Sequence, residues 1–401
     1  MGIEIRVPSD DDWPAVCHAD GRAFGFSYTE QERDERRPST DLSRFRIACD
    51  AGEIVGIVGS YAFDVTLPGG ATLPMGGVTW VSTAATHRRQ GIVRLLMDAL
   101  HRDIADRGEP LANLTASESS IYERFGYGIA SNTRVAQISV RGVDVAEQHR
   151  QPAGAVRFMS EKEARDVVPA LWDRYRLTRA GEVSRRPEIH DFILSFRARP
   201  DDGASGTFWL RHADGFASYR IADVWADGYA NHELRLVELC ALTPEAHAAL
   251  WQTLLNVDLV ATIKTRTVAE DDPLPFLLTD YRALRTTALN DGLWVKVLQP
   301  EVALATRTYA TDDRLVVEIT EGDAPGCYAI EGGPTGSACK SVRTTPDLTM
   351  SSASLGALLY GGVRPSRLLA GRRLEARNDD ALRRADLFFP MAPLPYCITH
   401  Y

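Results

Sequence analysis

At 401 residues the chain is longer than one hydrophobic core usually extends, so two or three domains are expected. An apolar content of 44% with 25% charged residues is that of an ordinary soluble globular protein, and no window holds the roughly 18 uninterrupted apolar residues of a membrane span. The net charge of −9 argues against general nucleic-acid binding, which needs a basic face, and suits a cationic partner better.

Met1 to Asp12 mixes charge with β-formers and has no apolar stretch of the signal-peptide kind, so a cytoplasmic protein is expected. Cys17, Cys49, Cys240, Cys327, Cys339 and Cys397 are scattered, with no Cys-x-x-Cys spacing and no His pair at ligand spacing; reduced thiols are expected, and no metal. Ile3 to Val7 is predicted as a strand. Asp11-Asp12-Trp13-Pro14 starts a helix, Asp standing before a first-turn Pro. Phe45 to Cys49 and Ile54 to Phe63 are predicted to pair around Asp50-Ala51-Gly52, and Leu73 to Thr83 forms a longer strand. Ile92, Leu95, Leu96, Ala99 and Leu100 put one apolar stripe on a helix over 90–106, and Leu111 to Leu114 forms the next strand.

Between the long strand and that helix stands Thr86-His87-Arg88-Arg89-Gln90-Gly91-Ile92-Val93-Arg94. A strand, a basic glycine turn and a helix in direct succession build an anion socket. The first amides of a helix have no partner of their own, and the helix dipole adds positive potential there. A pyrophosphate fits such a place. Arg88, Arg89 and Arg94 add charge, and Gly91 lets the backbone approach without a Cβ in the way. The plain alternative is an ordinary strand-turn-helix with solvated arginines. Past the next strand comes Ala116-Ser117-Glu118-Ser119-Ser120-Ile121-Tyr122-Glu123-Arg124-Phe125-Gly126-Tyr127. Ser117 and Glu118 fall at a strand's carboxyl end, where ligands of parallel α/β units collect. Tyr122 falls in the first turns of a short helix, either as a core aromatic or as a side chain of the site. Tyr127, between two glycines, is set in a turn.

Residues 148–155 are polar, carry Pro and Gly and show no periodicity, so they are predicted to be a linker. In the second block, helices are predicted over Glu161 to Arg176, Pro187 to Phe196 and Thr243 to Leu255. Strands are predicted over Thr207 to His212, Ala217 to Ile221 and Glu233 to Leu242. The rhythm repeats that of the first block without its arginine-rich turn. From Pro300, which opens a helix, the third block runs through a meander of Leu315 to Ile319, Gly326 to Ile330 and Ala338 to Val342. Helices over Ser352 to Tyr360 and Asp379 to Leu387 follow. The last stretch, Pro393 to Tyr401, is apolar and proline-spaced, unlike a free polar tail, and is expected to dock in an enclosed place.

Arg88-x-x-Gly91-x-Val93 resembles the Arg/Gln-x-x-Gly-x-Gly/Ala motif of the GNAT acyltransferases, Val93 departing at the last position. The whole set resembles one subgroup more closely. Thr86 to Gly91, Ala116-Ser117-Glu118 and Ile121-Tyr122-x-Arg124-Phe125-Gly126-Tyr127-Gly128 are similar to the Eis ("enhanced intracellular survival") N-acetyltransferases. So are Asp272-Pro273-Leu274-Pro275, Leu278-Thr279-Asp280 and Asp291-Gly292-Leu293-Trp294.

The resemblance covers essentially the whole chain and implies an α+β fold class: two GNAT-type mixed-sheet domains in tandem, the second degenerate, plus a C-terminal sterol-carrier-like α/β domain. The domains are placed at 1–147, 156–299 and 300–401. It further implies acetyl-CoA as co-substrate, small-molecule amines as acceptors, including several amines of one aminoglycoside, and a homohexamer. By the same resemblance, Val81, Ser82 and Thr83 pair with the pantetheine arm, and Arg88, Arg89, Gln90, Gly91, Ile92, Val93 and Arg94 hold the pyrophosphate. Ser117 and Glu118 line the cofactor near its thiol, Tyr122 is the general acid, and the C-terminal carboxylate of Tyr401 is the general base.

Acyl transfer to an amine requires that the amine lose a proton, that the oxyanion be stabilised and that the leaving thiolate be protonated. A phenol of pKa about 10 can donate to a thiolate of pKa about 8.5 only against the gradient, so the site must shift one value or supply proximity. A terminal carboxylate of pKa roughly 3.5 is a weak base whose burial would strengthen it. Phe24, Phe26 and Tyr28, with Glu30 and Glu32, lie where a GNAT acceptor loop runs, and read equally as a surface loop with anchoring aromatics; His400 precedes the terminal residue. The competing readings are a CoA sensor without turnover and a carrier of apolar ligands through the third block. No Gly-x-x-x-x-Gly-Lys-Ser/Thr loop is present to suggest a nucleotide-phosphate enzyme.

Overall fold

In the computed structural model, which describes residues 2–198 and 203–401, the first block begins with strand β1 (Glu4–Arg6) and helix α1 (Trp13–Phe24). Pro14 stands in the first turn of α1, and Trp13, Val16 and Cys17 form its buried side. Helix α2 (Glu30–Arg36) is started by a reciprocal capping box between Thr29 and Glu32. The expected acceptor loop is therefore shorter than the sequence suggested. Strands β2 (Phe45–Asp50), β3 (Glu53–Thr66) and β4 (Thr72–Thr83) form an antiparallel meander. Helix α3 (Ile92–Asp106) then lays Ile92, Leu96, Met97, Leu100 and Ile104 on the sheet, and β5 (Leu111–Thr115) runs parallel to β4. Strand β6 (Gly128–Ile129) follows.

The chain then builds a second compact unit. Its elements are β7 (Asn132–Ser139), β8 (Arg157–Met159), α4 (Glu161–Arg176), α5 (Pro187–Ala198), β9 (Phe208–His212), β10 (Gly215–Ala222), a short hairpin of β11 (Trp225–Ala226) and β12 (Tyr229–Ala230), β13 (His232–Ala241), α6 (Pro244–Leu255), β14 (Val260–Thr265), α7 (Leu274–Leu277) and β15 (Leu284–Asp291). The sheet order is β15-β7-β14-β13-β10-β9-β8, with a core of Leu210, Leu234, Leu250, Trp251 and Ile263. Within this unit Tyr396 donates its hydroxyl to the Arg266 carbonyl at 2.7 Å, and the Ile398 amide donates to the Glu182 carboxylate at 3.0 Å. The tail is thus docked through Tyr396–Ile398, while Thr399–Tyr401 belong to the first unit.

Strand β16 (Leu293–Val297) returns to the first sheet, entering antiparallel between β5 and β6 to give the order β1-β2-β3-β4-β5-β16-β6. All five of its residues are buried. The compact units accordingly divide at 131/132 and 291/292. The reason is pairing. β7 finds its hydrogen-bond partners in β14 and β15, and β16 finds its own in β5 and β6, which periodicity along the chain cannot reveal.

The third block lies in the same unit as the first. It comprises α8 (Pro300–Thr306), β17 (Asp313–Ile319), β18 (Gly326–Gly333), β19 (Gly336–Val342), β20 (Leu348–Met350), α9 (Ser352–Leu359), α10 (Pro365–Ala370), β21 (Leu374–Ala376) and α11 (Asp379–Phe388), with sheet order β19-β18-β17-β20-β21. Its interior holds the fully buried Arg307. The guanidinium donates to the carbonyls of Leu358, Leu359 and Phe389 at 2.7–3.0 Å, and Tyr309 stacks on Phe388 at 4.0 Å.

Helix α9 packs on β6 and β16 at backbone range, because Gly128 and Gly356 have no side chains to keep them apart. A Cβ on Gly128 would overlap the Ala353 carbonyl oxygen and crowd the Ala357 nitrogen. Gly128→Ala is expected to destabilise the protein by on the order of 3 kcal/mol, an overpacking that a helix backbone cannot relax cheaply. Chemical denaturation checks this, and an unchanged midpoint would mean the helix moves freely.

Candidate active site

The first sheet opens between two of its central strands. β4 pairs with β5 only through Met75, Gly76 and Gly77, opposite Leu111, Ala112 and Asn113. Beyond Gly77 the strands part, and among the described residues Val78–Thr83 have no strand partner on that edge. A bulge contributes to the parting. Trp80 adopts φ +56°, and the register with β3 slips between Ile57 and Gly59. Backbone donors and acceptors on such an edge stay available to a ligand. Val81 and Thr83 are half-buried here and Ser82 is buried. The Thr83 hydroxyl is buried with no hydrogen-bond partner among the described residues, an orphan that an extended amide-bearing ligand could satisfy.

At the far end of β4 lies the basic turn. Arg89 (φ +64°) and Gly91 (φ +80°) are both left-handed, and Gly91 is the N-cap of α3. Among the described residues, nothing lies within 4 Å of where a Gly91 Cβ would stand. Arg88, Arg89, Gln90 and Arg94 are exposed, Ile92 is buried and Val93 half-buried. The helix N-terminus, an open glycine and three arginines with no ion pair among the described residues concentrate positive potential at this turn.

The two faces of the sheet at the parting differ. Gly76 faces α3, where a Cβ would meet Ile104 at 2.6 Å; Gly77 faces the other way, where a Cβ would meet Phe63 at 2.6 Å and Tyr401 at 2.9 Å. On the α3 face, Val78 and Leu114, the first residues past the parting on each strand, share one apolar cluster with Tyr122. Tyr122 sits between two 3-10 turns (Ser119–Ile121 and Glu123–Phe125) after β5 and is 7% exposed. Its ring lies 6.0 Å from Tyr127 and 6.4 Å from Trp294. Burial first, and the Glu118 charge second, push its phenol up to about 12, so it is protonated at any working pH. Ser117 and Glu118 are exposed at the carboxyl end of β5, as expected from their order in the chain.

On the opposite face the last residue, Tyr401, is half-buried, its ring 4.9 Å from Phe63. Asn113, the partner of Gly77 across the strands, is fully buried on this face and donates from Nδ2 to the Tyr360 hydroxyl at 2.6 Å. The Tyr401 ring therefore lies beside Gly77, the last β4 residue paired with β5, on the face away from Tyr122.

The acceptor-loop residues divide. Phe24 and Phe26 are each 46% exposed, and His400 is exposed. Tyr28 turns inward, stacking on Trp80 at 6.3 Å and donating to the buried Asp20 carboxylate at 2.8 Å. Arg36 lies 5.5 and 5.3 Å over the Tyr28 and Trp80 rings. The aromatic set thus adjoins the bulge of β4, with a cation over it. Trp80, Phe63, Asn113, Trp294 and Lys296 were not legible as site residues. Their only local signals are the Gly76-Gly77 pair and a lysine in an apolar strand.

Residues 4–130 match the acetyltransferase (GNAT) domain family, residues 181–297 match a second family of the same description, and residues 300–398 match the sterol carrier protein domain. N-acetyltransferase Eis of Mycobacterium tuberculosis (strain ATCC 25177 / H37Ra) is 33% identical over 402 residues, 97% of each chain. The crystal structure of Eis1 from Mycobacterium abscessus superposes with a TM-score of 0.89 at 30% identity, over 99% of this chain and 100% of that one. A GCN5-related N-acetyltransferase from Anabaena variabilis shares the fold, with a TM-score of 0.85 at 17% identity over both full chains.

Proposed function

The chain belongs to the Eis family of N-acetyltransferases, and from that premise we propose that it transfers acetyl directly from acetyl-CoA to a small-molecule amine, with Tyr122 as general acid and the Tyr401 carboxylate as general base. One observation carries the reading: β4 and β5 part after Gly77, with the Tyr401 ring on one face of the sheet and Tyr122 on the other. A thioester threaded through that opening presents its sulfur to the phenol and its carbonyl to an amine arriving from the terminal-carboxylate side. Val81, Ser82 and Thr83 take the pantetheine amides, Ser117 and Glu118 flank the thiol end, and the arginine turn takes the pyrophosphate. The amine proton passes to the carboxylate, directly or through water, and the phenol proton goes to sulfur as the C–S bond breaks.

Replacing Arg89 or Arg94 by Ala should raise KM for acetyl-CoA about tenfold with kcat nearly unchanged, because an exposed phosphate contact is lost equally from ground and transition state. A fall in kcat at constant KM would place these arginines elsewhere in the reaction.

Phe24, Phe26, Tyr28 and His400 border the acceptor's approach. Arg36 puts positive charge over Tyr28 and Trp80, which favours acceptors presenting one amine with few further cations. Aminoglycosides belong to the proposal through the family resemblance. The test is release of free thiol from acetyl-CoA across aminoglycosides, polyamines, lysine peptides and arylhydrazines. Turnover with any of them supports transfer; CoA binding with no turnover on any amine would favour a sensor. The carrier alternative has less support, since Arg307, Tyr309, Phe388 and Phe389 fill the interior of the third block. Assembly as a homohexamer in the cytoplasm is part of the same proposal, and light scattering tests the assembly. No helix among the described residues is long and apolar enough to cross a membrane.

A further inference from the structure

The turn that carries Tyr122 is held by residues from far along the chain. Lys296 lies two positions after Trp294 on β16 and so projects from the same face of that strand, the face on which the Trp294 ring approaches Tyr122. The Lys296 side chain is only 5% exposed. Its Nζ donates to the Phe125 carbonyl at 2.7 Å and pairs with the Asp323 carboxylate. Phe125 ends the 3-10 turn that begins directly after Tyr122. Gly126 closes the turn at φ +86°, where a Cβ would stand 2.6 Å from the Ser352 hydroxyl and 3.0 Å from Lys296 Nζ. Glu123, next to Tyr122, forms an ion pair with Arg373 of the third block.

Packing does not account for this lysine. Burying an ammonium is costly, and an apolar side chain of similar length would fill the same space at less cost. What the charge supplies is a directed bond to one carbonyl of the turn, with a carboxylate from the loop between β17 and β18 behind it.

We infer that Lys296 is a positioning residue for Tyr122: backed by Asp323, it fixes the Glu123–Phe125 turn and thereby the place of the phenol beside the strand opening. The inference rests on the reading of Tyr122 as general acid. On this account the third block contributes to transfer on the acid side as well, by supplying the carboxylate of Asp323 that backs Lys296.

A double-mutant cycle separates the possibilities. Lys296→Met keeps length and removes the donors. It should lower kcat on the order of 10-fold to 100-fold, the scale of a misplaced catalytic group, with KM for acetyl-CoA within about twofold. In a Tyr122→Phe background the same substitution should have almost no further effect, since no phenolic hydroxyl is left to place. Asp323→Asn, at a half-exposed position, should give a smaller loss that also disappears in that background, and it carries the test if Lys296→Met does not fold. If Tyr122→Phe slows the enzyme while Lys296→Met is neutral, or slows both backgrounds by the same factor, the inference is overturned and the acid stands. If Tyr122→Phe turns over normally, the acid reading fails and the inference goes with it.

Discussion

An enzyme extended by one residue beyond Tyr401 is expected to bind acetyl-CoA normally and to lose most of its turnover, about 100-fold or more. The extension leaves every side chain in place. It converts the terminal carboxylate into a peptide carbonyl and moves the negative charge one residue on. The Tyr401 ring lies against Phe63 and over Gly77, the last β4 residue paired with β5. Three and five residues earlier the tail is fixed again, by the Ile398 amide on Glu182 and the Tyr396 hydroxyl on Arg266. A carboxylate displaced by one peptide unit would leave the place the proposed mechanism requires of it. The measurement is thiol release beside calorimetric binding of CoA. Loss of both would indicate a damaged fold, and normal turnover would remove the carboxylate from the reaction.

The order of elements around this site was more legible in the sequence than its walls. The glycine turn could be located because strand, turn and helix follow one another without interruption, and the stripe of α3 runs over one face. The tail was legible as docked because apolar residues spaced by prolines have no reason to stay in water; Pro395, Tyr396, Ile398 and Thr399 are buried. What could not be seen is everything that depends on long-range pairing. β16 reads as a short apolar run at the exit of the second block, yet it lies between β5 and β6 and brings Trp294 and Lys296 to Tyr122 and the turn after it. Trp80 reads as an ordinary strand residue, and its positive φ is imposed by the bulge. The short helix α2 was missed because a loop was expected there, although Thr29 and Glu32 spell its capping box.

Tyr122→Phe tests the other half of the reaction. It should lower kcat by about 10²-fold to 10⁴-fold, the usual contribution of a general acid, with KM for acetyl-CoA nearly unchanged. The ring's packing against Tyr127 and Trp294 does not use the hydroxyl, so Phe should keep the fold. The phenol is held near 12 by burial and by Glu118. Its folded value lies above that of a free tyrosine, so the protonated form is kept and wild-type kcat should not decline through loss of this proton between about pH 6 and 10. Full transfer to a free thiolate of pKa about 8.5 is uphill by several kcal/mol from such a phenol. In the proposed mechanism its contribution would therefore be a hydrogen bond to sulfur that strengthens as the C–S bond breaks, the proton moving only as the thiolate forms. A group that acts in this way affects kcat and kcat/KM together. A Phe variant with raised KM and intact kcat would make Tyr122 a wall of the binding slot, leaving the leaving thiolate to be protonated by water.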